Sequence, residues 1–453
     1  MSGFNRREFI RRGTAGAAGL GLFLNGQPVE AEASAPPPKP APPSDRVNVG
    51  FIGFGIRANI LFESARKTGQ ANLVEVCDCY QGHLERAKER TGGKIDTNFA
   101  QYKKLLDRKD IDAVVIATPD HWHTPLFLDA IAAGKDVYIE KPMTHRIADG
   151  QKMIDAAREA KRIVQVGSQW ISSSQNRIAK EMIAAGKLGK VTKVMAAYNR
   201  NSSAGAWNYP IPPDLKNGVN FNWEEWLGPA PQLPFEAARV FQYRKYWDYS
   251  GGITTDLFVH LITSIHYILG SGMPRSVVAT GGILARNDGR QVPDTIDALF
   301  EYPEGFHVNM ASTFNSEGGK TGNGIHFLGT DGSLMLPLGG PSMTHSIDSH
   351  REGYSYSIDS WPKALQEKFM NMDDHREEAA RTAPPAEEVQ ARDSADPTTL
   401  HMAEFFECVR SRKQCGENAE VGHRAASAGH MVNLSYIAGK KAIWDAISRT
   451  AVV

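Results

Sequence analysis

Apolar and polar positions change their period twice along this chain. From Arg46 to about Gln165, short unbroken apolar runs alternate with stretches whose apolar residues fall at helical spacing. Val49 to Ile52, Asn72 to Asp78, Asp112 to Pro119 and Asp136 to Glu140 read as buried strands. Gly82 to Arg90, Phe99 to Leu106 and Thr124 to about Ala133 read as helices. In the last of these Thr124 would cap, Pro125 would take the first position and Gly134 would stop the helix. Strand and helix in alternation predict an α/β unit: a parallel Rossmann-type sheet, right-handed crossovers and helices on both faces.

Past Gln165 the rhythm changes. Ile178 to Ala185 reads as a helix ended by Gly186, and Val191 to Asn199 alternates as a strand does. Trp207 to Pro234, rich in Pro, Trp and Asn, reads as a long ordered loop of the kind that lines sites. After Gly251-Gly252 comes a helix bearing Leu257, Leu261, Ile262, Ile265, Ile268 and Leu269. Strand-like runs follow at Ser276 to Gly282, Ile296 to Tyr302, His307 to Phe314, Ile325 to Gly329 and Ser333 to Leu336. Strands in succession predict an α+β domain with an open, mainly antiparallel sheet. Ser342 to Asp396 is polar and reads as an insertion or arm. His401 to Arg410 is a helix, and a final helix opens at Glu420 to Arg424 and runs through Ile443.

The first residues belong to neither pattern. Asn5-Arg6-Arg7-Glu8-Phe9-Ile10-Arg11 is a twin-arginine signature, Gly13 to Leu24 is mildly apolar, and Ala31-Glu32-Ala33 fits a cleavage site. The expected organisation is a leader at 1–33, a proline-rich spacer at 34–45, a nucleotide-binding domain at 46–165 and a substrate and oligomerisation domain at 166–453. The leader predicts export to the periplasm or beyond through the twin-arginine machinery. Basic and acidic residues balance at 51 each, so no overall field favours nucleic acid. No apolar stretch reaches the ~18–20 residues of a spanning helix. The four cysteines form no zinc pattern: Cys77 and Cys79 would point to opposite faces of a strand, and Cys408 and Cys415 read as buried thiols that could bridge.

Candidate chemistry gathers at the ends of the first strands. Gly53-x-Gly55-x-x-Ala58, after an apolar strand and before a helix, is the turn of a dinucleotide-binding unit. Gly53 permits the tight turn, Gly55 a close pyrophosphate, and Ala58 close packing of helix on strand. Asp78 closes the next strand where an acid grips a ribose 2′-hydroxyl. Its charge would repel a 2′-phosphate, so NAD is expected rather than NADP. Thr118, His123, Glu140 and Lys141 stand near other strand ends. In the second half Asp256 and His260 are four residues apart and would share one face of an apolar helix, as a proton relay or a satisfied buried pair. His121-Trp122-His123 finds no second cluster to complete a metal site, so no metal is expected.

The set Gly53-x-Gly55, Asp78, Ala117-Thr118-Pro119, His123 and Glu140-Lys141-Pro142 resembles the glucose-fructose oxidoreductase / inositol dehydrogenase / rhizopine-catabolism (Gfo/Idh/MocA) family, from about Arg46 to the C-terminus. The resemblance implies a hydride exchanged between a tightly held NAD and a sugar or polyol. Lys141 would polarise the reacting oxygen, His260 take the hydroxyl proton, and Asp256 orient the ring or bind substrate. Gly53, Gly55, Ile56, Arg57, Ala58, Asp78, Thr118, Pro119, Trp122, His123, Glu140, Lys141 and Gln169 would serve the cofactor. Arg244, Trp247 and Tyr249 would line the sugar site. It also implies a dimer or tetramer built on the free sheet face. Because free NAD is scarce outside the cytoplasm, one alternative is an NAD-dependent glycoside hydrolase working through transient sugar oxidation. A second is a sugar-sensing protein without catalysis.

Overall fold

Six short strands build one parallel sheet; its central runs, rich in Val, Ile and Ala, are apolar because they are buried on both faces, while the edge strand at 96–99 is polar and half-exposed. In the computed structural model, which describes residues 29–30, 37–319, 322–348, 354, 356–380 and 382–453, the first unit runs as follows. Strand β1 (Val47–Ile52) leads into α1 (Ile56–Thr68), then β2 (Ala71–Asp78), α2 (Gln81–Thr91), β3 (Asp96–Phe99) and α3 (Tyr102–Asp107). It continues with β4 (Ala113–Ile116), α4 (His123–Ala132), β5 (Asp136–Ile139), α5 (Ile147–Glu159) and β6 (Val164–Val166). The sheet order is β3-β2-β1-β4-β5-β6, all parallel. Order reverses beside β1, so the crevice opens at the carboxyl ends of β1 and β4, where the glycine turn lies. The expected Thr124 cap is not made: α4 starts at His123, directly after a turn of 3₁₀ helix at Asp120–Trp122, so Thr124 already lies inside it.

The second unit opens with α6 (Ser174–Ala184), capped by the Ser173 side chain, and β7 (Val191–Ala197). The apolar helix after the glycine pair is two pieces, α7 (Ile253–Asp256) and α8 (Phe258–Leu269), broken at Leu257. Strands β8 (Ser276–Gly282), β9 (Thr295–Glu301), β10 (His307–Thr313), β11 (Gly324–Gly329), β12 (Gly332–Pro337), β13 (Ser342–Ile347) and β14 (Glu387–Gln390) follow. Then come α9 (Pro397–Ser411), α10 (Ala419–Ala438), β15 (Ala442–Asp445) and β16 (Thr450–Val452). The second sheet reads β14-β13-β12-β11-β7-β10-β9-β8-β15-β16, mainly antiparallel, with β7 and β10 parallel. The polar stretch read as an arm contributes β13 and β14 to this sheet. Ala442 to Asp445, expected as the end of a helix, is strand because it pairs with β8.

Alternation along β9 and β10 sends Ile296, Ala298, Phe300, Val308 and Met310 to one face, where they pack under Phe258, Leu261, Ile262 and Ile265 of α8. On the other face Met195, Val278 and Leu299 are exposed. The C-terminal α9 returns to the first unit, where Met402, Phe405 and Phe406 join the core of β1 and α1. The expected leader lies outside the described residues except for Val29–Glu30, which pairs in parallel with β14. Among the described residues no helix is long and apolar enough to cross a membrane.

Candidate functional site

A cavity of about 430 Å³ runs from the glycine turn of the first unit to α7 and α8 of the second. At one end Gly53 takes φ +83°, and a Cβ there would stand 2.8 Å from the Ala117 carbonyl oxygen. Only glycine makes this turn without strain. A Cβ on Gly55 would meet nothing within 4 Å, so the bare backbone faces open space. Helix α1 starts at Ile56 with no side-chain cap, leaving its first N–H groups to the cavity. Ala58 is fully buried and packs α1 on the sheet.

Asp78 lines the same end. Its carboxylate accepts from the Phe54 N–H at 2.6 Å and the Tyr80 N–H at 2.8 Å, and His83 Nδ1 stands 3.1 Å away. Burial alone would raise this carboxyl; the His83 charge and the two N–H donors hold it below its ordinary range, while Asp78 holds His83 above its own. Thr118 and Pro119 line the wall after β4, and the Thr118 hydroxyl is buried with no partner. A bare glycine backbone, an uncapped helix start, an ionised acid at the end of β2 and an unpaired hydroxyl together fit a dinucleotide.

The long loop closes this end. Gln81 N–H donates to the Asn220 carbonyl and Asn222 N–H to that of Cys79, both at 2.9 Å, while Tyr80 Oη donates to Asp214 at 2.7 Å. Trp122 Nε1 donates to the Trp226 carbonyl at 2.7 Å, and Gly228, at φ +47°, lets the Trp122 ring sit where a side chain would be. The pattern of Pro, Trp and Asn thus built a roof, and Phe221, Glu225 and Trp226 line it.

At the other end the two units meet. Lys141, which follows β5 through Glu140 and joins Pro142 by a cis bond, points its ammonium at Asp256: Nζ is 2.6 Å from Oδ1 and 3.0 Å from the backbone oxygen. Arg244 Nε donates to the same Oδ1 at 2.9 Å. Burial works to raise the Asp256 carboxyl, but Lys141 and Arg244 hold it well below the carboxylate range. Behind Lys141, Glu140 accepts from Arg57 Nε at 2.7 Å, and Arg57 also donates to Gln169 at 3.0 Å. The glycine turn, the strand-end acid and the start of the second unit are therefore tied by one guanidinium.

His260 lines the cavity from α8 with its ring packed, tilted by 31°, 4.7 Å from that of Trp170. Burial first, and the Lys141 charge second, push it well below the usual histidine range. This environment favours the neutral ring, and its Nδ1 is buried without a partner. The break at Leu257 changes the expected relay: Asp256 pairs with the two cations rather than with His260.

Three further expectations are corrected. His123 is fully buried behind the cavity, its Nδ1 2.7 Å from the Pro142 carbonyl and its Nε2 3.1 Å from that of Thr118, so it braces the wall and does not face a ligand. Tyr249 is fully buried against Trp226 and His121. Trp247 packs against the second core, its carbonyl bound by His145. Arg200, Tyr209, Phe241 and Tyr243 line the cavity in their place. Tyr243 and Arg244 are neighbours in sequence, which is the one local cue for the tyrosine; Arg200 and Tyr209 lie in non-repeating loop and carry no periodic signal. Among the described residues no group of three or more His, Cys, Asp or Glu could hold a metal ion.

Comparison with known proteins agrees with this geometry. The model of the Gfo/Idh/MocA oxidoreductase family's NAD-binding Rossmann fold matches residues 47–168, and that of the Gfo/Idh/MocA C-terminal domain matches 229–335. A glycosyl hydrolase family 109 protein of Shewanella baltica is 30% identical over 215 residues, 44% of this chain and 46% of the relative. An α-N-acetylgalactosaminidase of Shewanella oneidensis has the same identity and coverage. The chain spans about half the length of these curated relatives. Among solved structures, aldose-aldose oxidoreductase from Caulobacter crescentus complexed with glycerol superimposes with a TM-score of 0.64 at 17% identity, over 88% of this chain and 99% of that one. The WlbA dehydrogenase from Chromobacterium violaceum, in complex with NADH and UDP-GlcNAcA, gives 0.63 at 20% identity over 89% and 97%. At such identities the likeness speaks for the fold. Two domain matches in sequence order, the same overall fold and a cavity framed by the expected turn and lysine agree: the chain belongs to the Gfo/Idh/MocA family, with an NAD-binding Rossmann domain.

Proposed function

We propose that this protein removes a hydride from a sugar or polyol carbon, using an NAD held in the cleft between its two units. The observation that supports it most is that Lys141 of the first unit and His260 of the second line one cavity, close enough for the lysine charge to depress the histidine. Gly53, Gly55, Ile56 and Arg57 would hold the pyrophosphate end, Asp78 the adenosine ribose, and Thr118, Pro119, Trp122, Glu140 and Gln169 the remainder. Bound NAD supplies the hydride acceptor. Lys141, fixed by Asp256, donates a hydrogen bond to the substrate hydroxyl oxygen and stabilises the charge that develops there. Neutral His260 takes the hydroxyl proton. Arg244 and Asp256 keep the cation in place, and the loop roof keeps water out. Release from the twin-arginine route with its cofactor already bound, and assembly through the exposed face bearing Met195, Val278 and Leu299, belong to the same reading.

A second outcome of the same chemistry is favoured by the relatives named glycosyl hydrolase family 109. There the oxidation of the sugar would be transient, and the net reaction would be hydrolysis. Incubating purified protein with aryl glycosides and with free polyols, without added NAD, separates the two. Aglycone release with no lasting reduced-nicotinamide absorbance supports hydrolysis. Lasting absorbance on polyols supports net oxidation. Neither signal, across both panels, sinks the hydride-transfer reading.

A further inference from the structure

The cavity just described does not end at Arg244. Arg200 and Tyr209, which wall it on the side of the long loop, also line a second cavity of about 510 Å³. Asn201, Ser202, Glu317 and Asn323 line this outer space and not the inner one. Its wall is built: Asn323 Oδ1 accepts from the Asn199 N–H at 2.5 Å and its Nδ2 donates to the Asn199 carbonyl at 3.1 Å, so the loop after β10 is pinned to the end of β7.

Arg200 is fixed with respect to His260 by a ladder of rings. The His260 ring packs tilted against Trp170 at 4.7 Å, Trp170 tilted against Tyr198 at 5.7 Å, and the Arg200 guanidinium lies 4.7 Å over Tyr198 while Nη2 donates to its hydroxyl at 3.0 Å. The distance from the base to the border of the outer cavity is thereby set by packed rings rather than by a free side chain. The chemistry of the outer lining is mixed: one guanidinium, one carboxylate, amides, a hydroxyl and the half-buried face of Tyr209. A strongly charged ligand would meet repulsion from Arg200 or from Glu317. Neutral hydroxyl-rich ligands meet donors, acceptors and an aromatic surface for their C–H face.

We propose that the outer cavity is a subsite for a second sugar unit, so that the substrate is the terminal unit of a glycoside longer than one sugar. This rests on the hydride-transfer reading above, in that the inner cavity takes the unit that reacts. The test is calorimetric titration of the NAD-loaded full chain with methyl glycosides of glucose, galactose and N-acetylgalactosamine. Disaccharides ending in the same units complete the panel. Where a methyl glycoside binds, the matching disaccharide is expected to bind about tenfold or more tightly, a gain on the scale of one or two added hydrogen bonds. Asn201→Ala and Glu317→Ala should each erase much of that gain and leave the methyl glycoside affinity as it was. Equal binding of the two ligand classes by the native chain overturns the outer subsite and leaves the inner reading standing, as does an equal loss for both classes in both variants. Failure of every glycoside to bind overturns the outer subsite, while the inner reading is decided separately by the polyol and aryl glycoside assay above.

Discussion

Replacing Asp256 by asparagine keeps the shape of the side chain and removes its charge. In the native protein that charge is shared by Lys141 at 2.6 Å and Arg244 at 2.9 Å, with the three side chains only 10–21% exposed. An amide there leaves two cations facing each other without a counter-charge, and removing one partner of a buried ion pair costs about 3–5 kcal/mol. Asp256→Asn should therefore lower the unfolding free energy by that amount, read from urea unfolding followed by tryptophan fluorescence. Lys141→Met should cost less, since Asp256 keeps Arg244. In the Lys141→Met background Asp256→Asn leaves one cation instead of two, so the double variant should be more stable than the sum of the singles by roughly 1–3 kcal/mol. Costs that add within about 0.5 kcal/mol, or an Asp256→Asn protein as stable as the native one, would refute the shared-carboxylate arrangement.

Other outcomes follow from the same structure. Gly53→Ala forces a Cβ to 2.8 Å from the Ala117 oxygen at φ +83°, and should cost on the order of 1–2 kcal/mol; mass spectrometry of denatured samples should show less NAD per chain. Asp78→Ala removes the carboxylate at the end of β2, so the ratio of NADP to NAD affinity should rise at least about tenfold in a fluorescence titration. Burial pushes His121 and His266 down to about 3 and His423 and His430 down to about 4, so all four are neutral in the folded protein at pH 5. The unfolded chain binds those protons first, so stability is lost as pH falls below about 6.5, by up to roughly 1.4 kcal/mol per pH unit for each histidine, until the folded values are reached. Equilibrium unfolding between pH 7 and pH 4.5 checks this, and a flat profile contradicts it.

Much of the fold was legible because burial imposed a clean period. Ile296, Phe300 and Val308 alternate with more exposed neighbours, and their strands lie where alternation put them. Val114 to Ile116 and Val137 to Ile139 are buried on both faces and read as unbroken runs. Strand β3 carries no apolar signal: Asp96-Thr97-Asn98-Phe99 fully buries none of its side chains and exists only as an edge added to β2. Helix α5, with Met153, Ile154 and Ala157 on its buried face, carries a helical period in its sequence. Ala442 to Asp445 lies beyond the Gly439 cap at φ +63° and the exposed Lys440-Lys441, a helix stop written in the sequence, and it is strand through its pairing with β8.

The site divided in the same way. Gly53, Asp78, Glu140 and Lys141 stand at strand ends, and a parallel sheet brings strand ends together whatever the loops do. Trp247 and Tyr249 looked suited to a sugar by residue type alone, but nothing in a loop's sequence says which way a ring turns; Trp226 and His121 claim Tyr249. His83 reached the site because α2 begins three residues after the end of β2 and carries it back to Asp78. Arg200 arrives through a ring ladder that no local pattern encodes.

The central claim is that Lys141 and His260 act on the same hydroxyl. It is tested most directly by a single-turnover measurement: native protein and Lys141→Ala, both shown by mass spectrometry to retain NAD, are mixed with a sugar that the native protein oxidises, and reduced-nicotinamide absorbance is followed in time. The account predicts a burst in the native protein and a rate at least about a hundredfold lower in the variant. A variant that reduces its cofactor within about twofold of the native rate would contradict it.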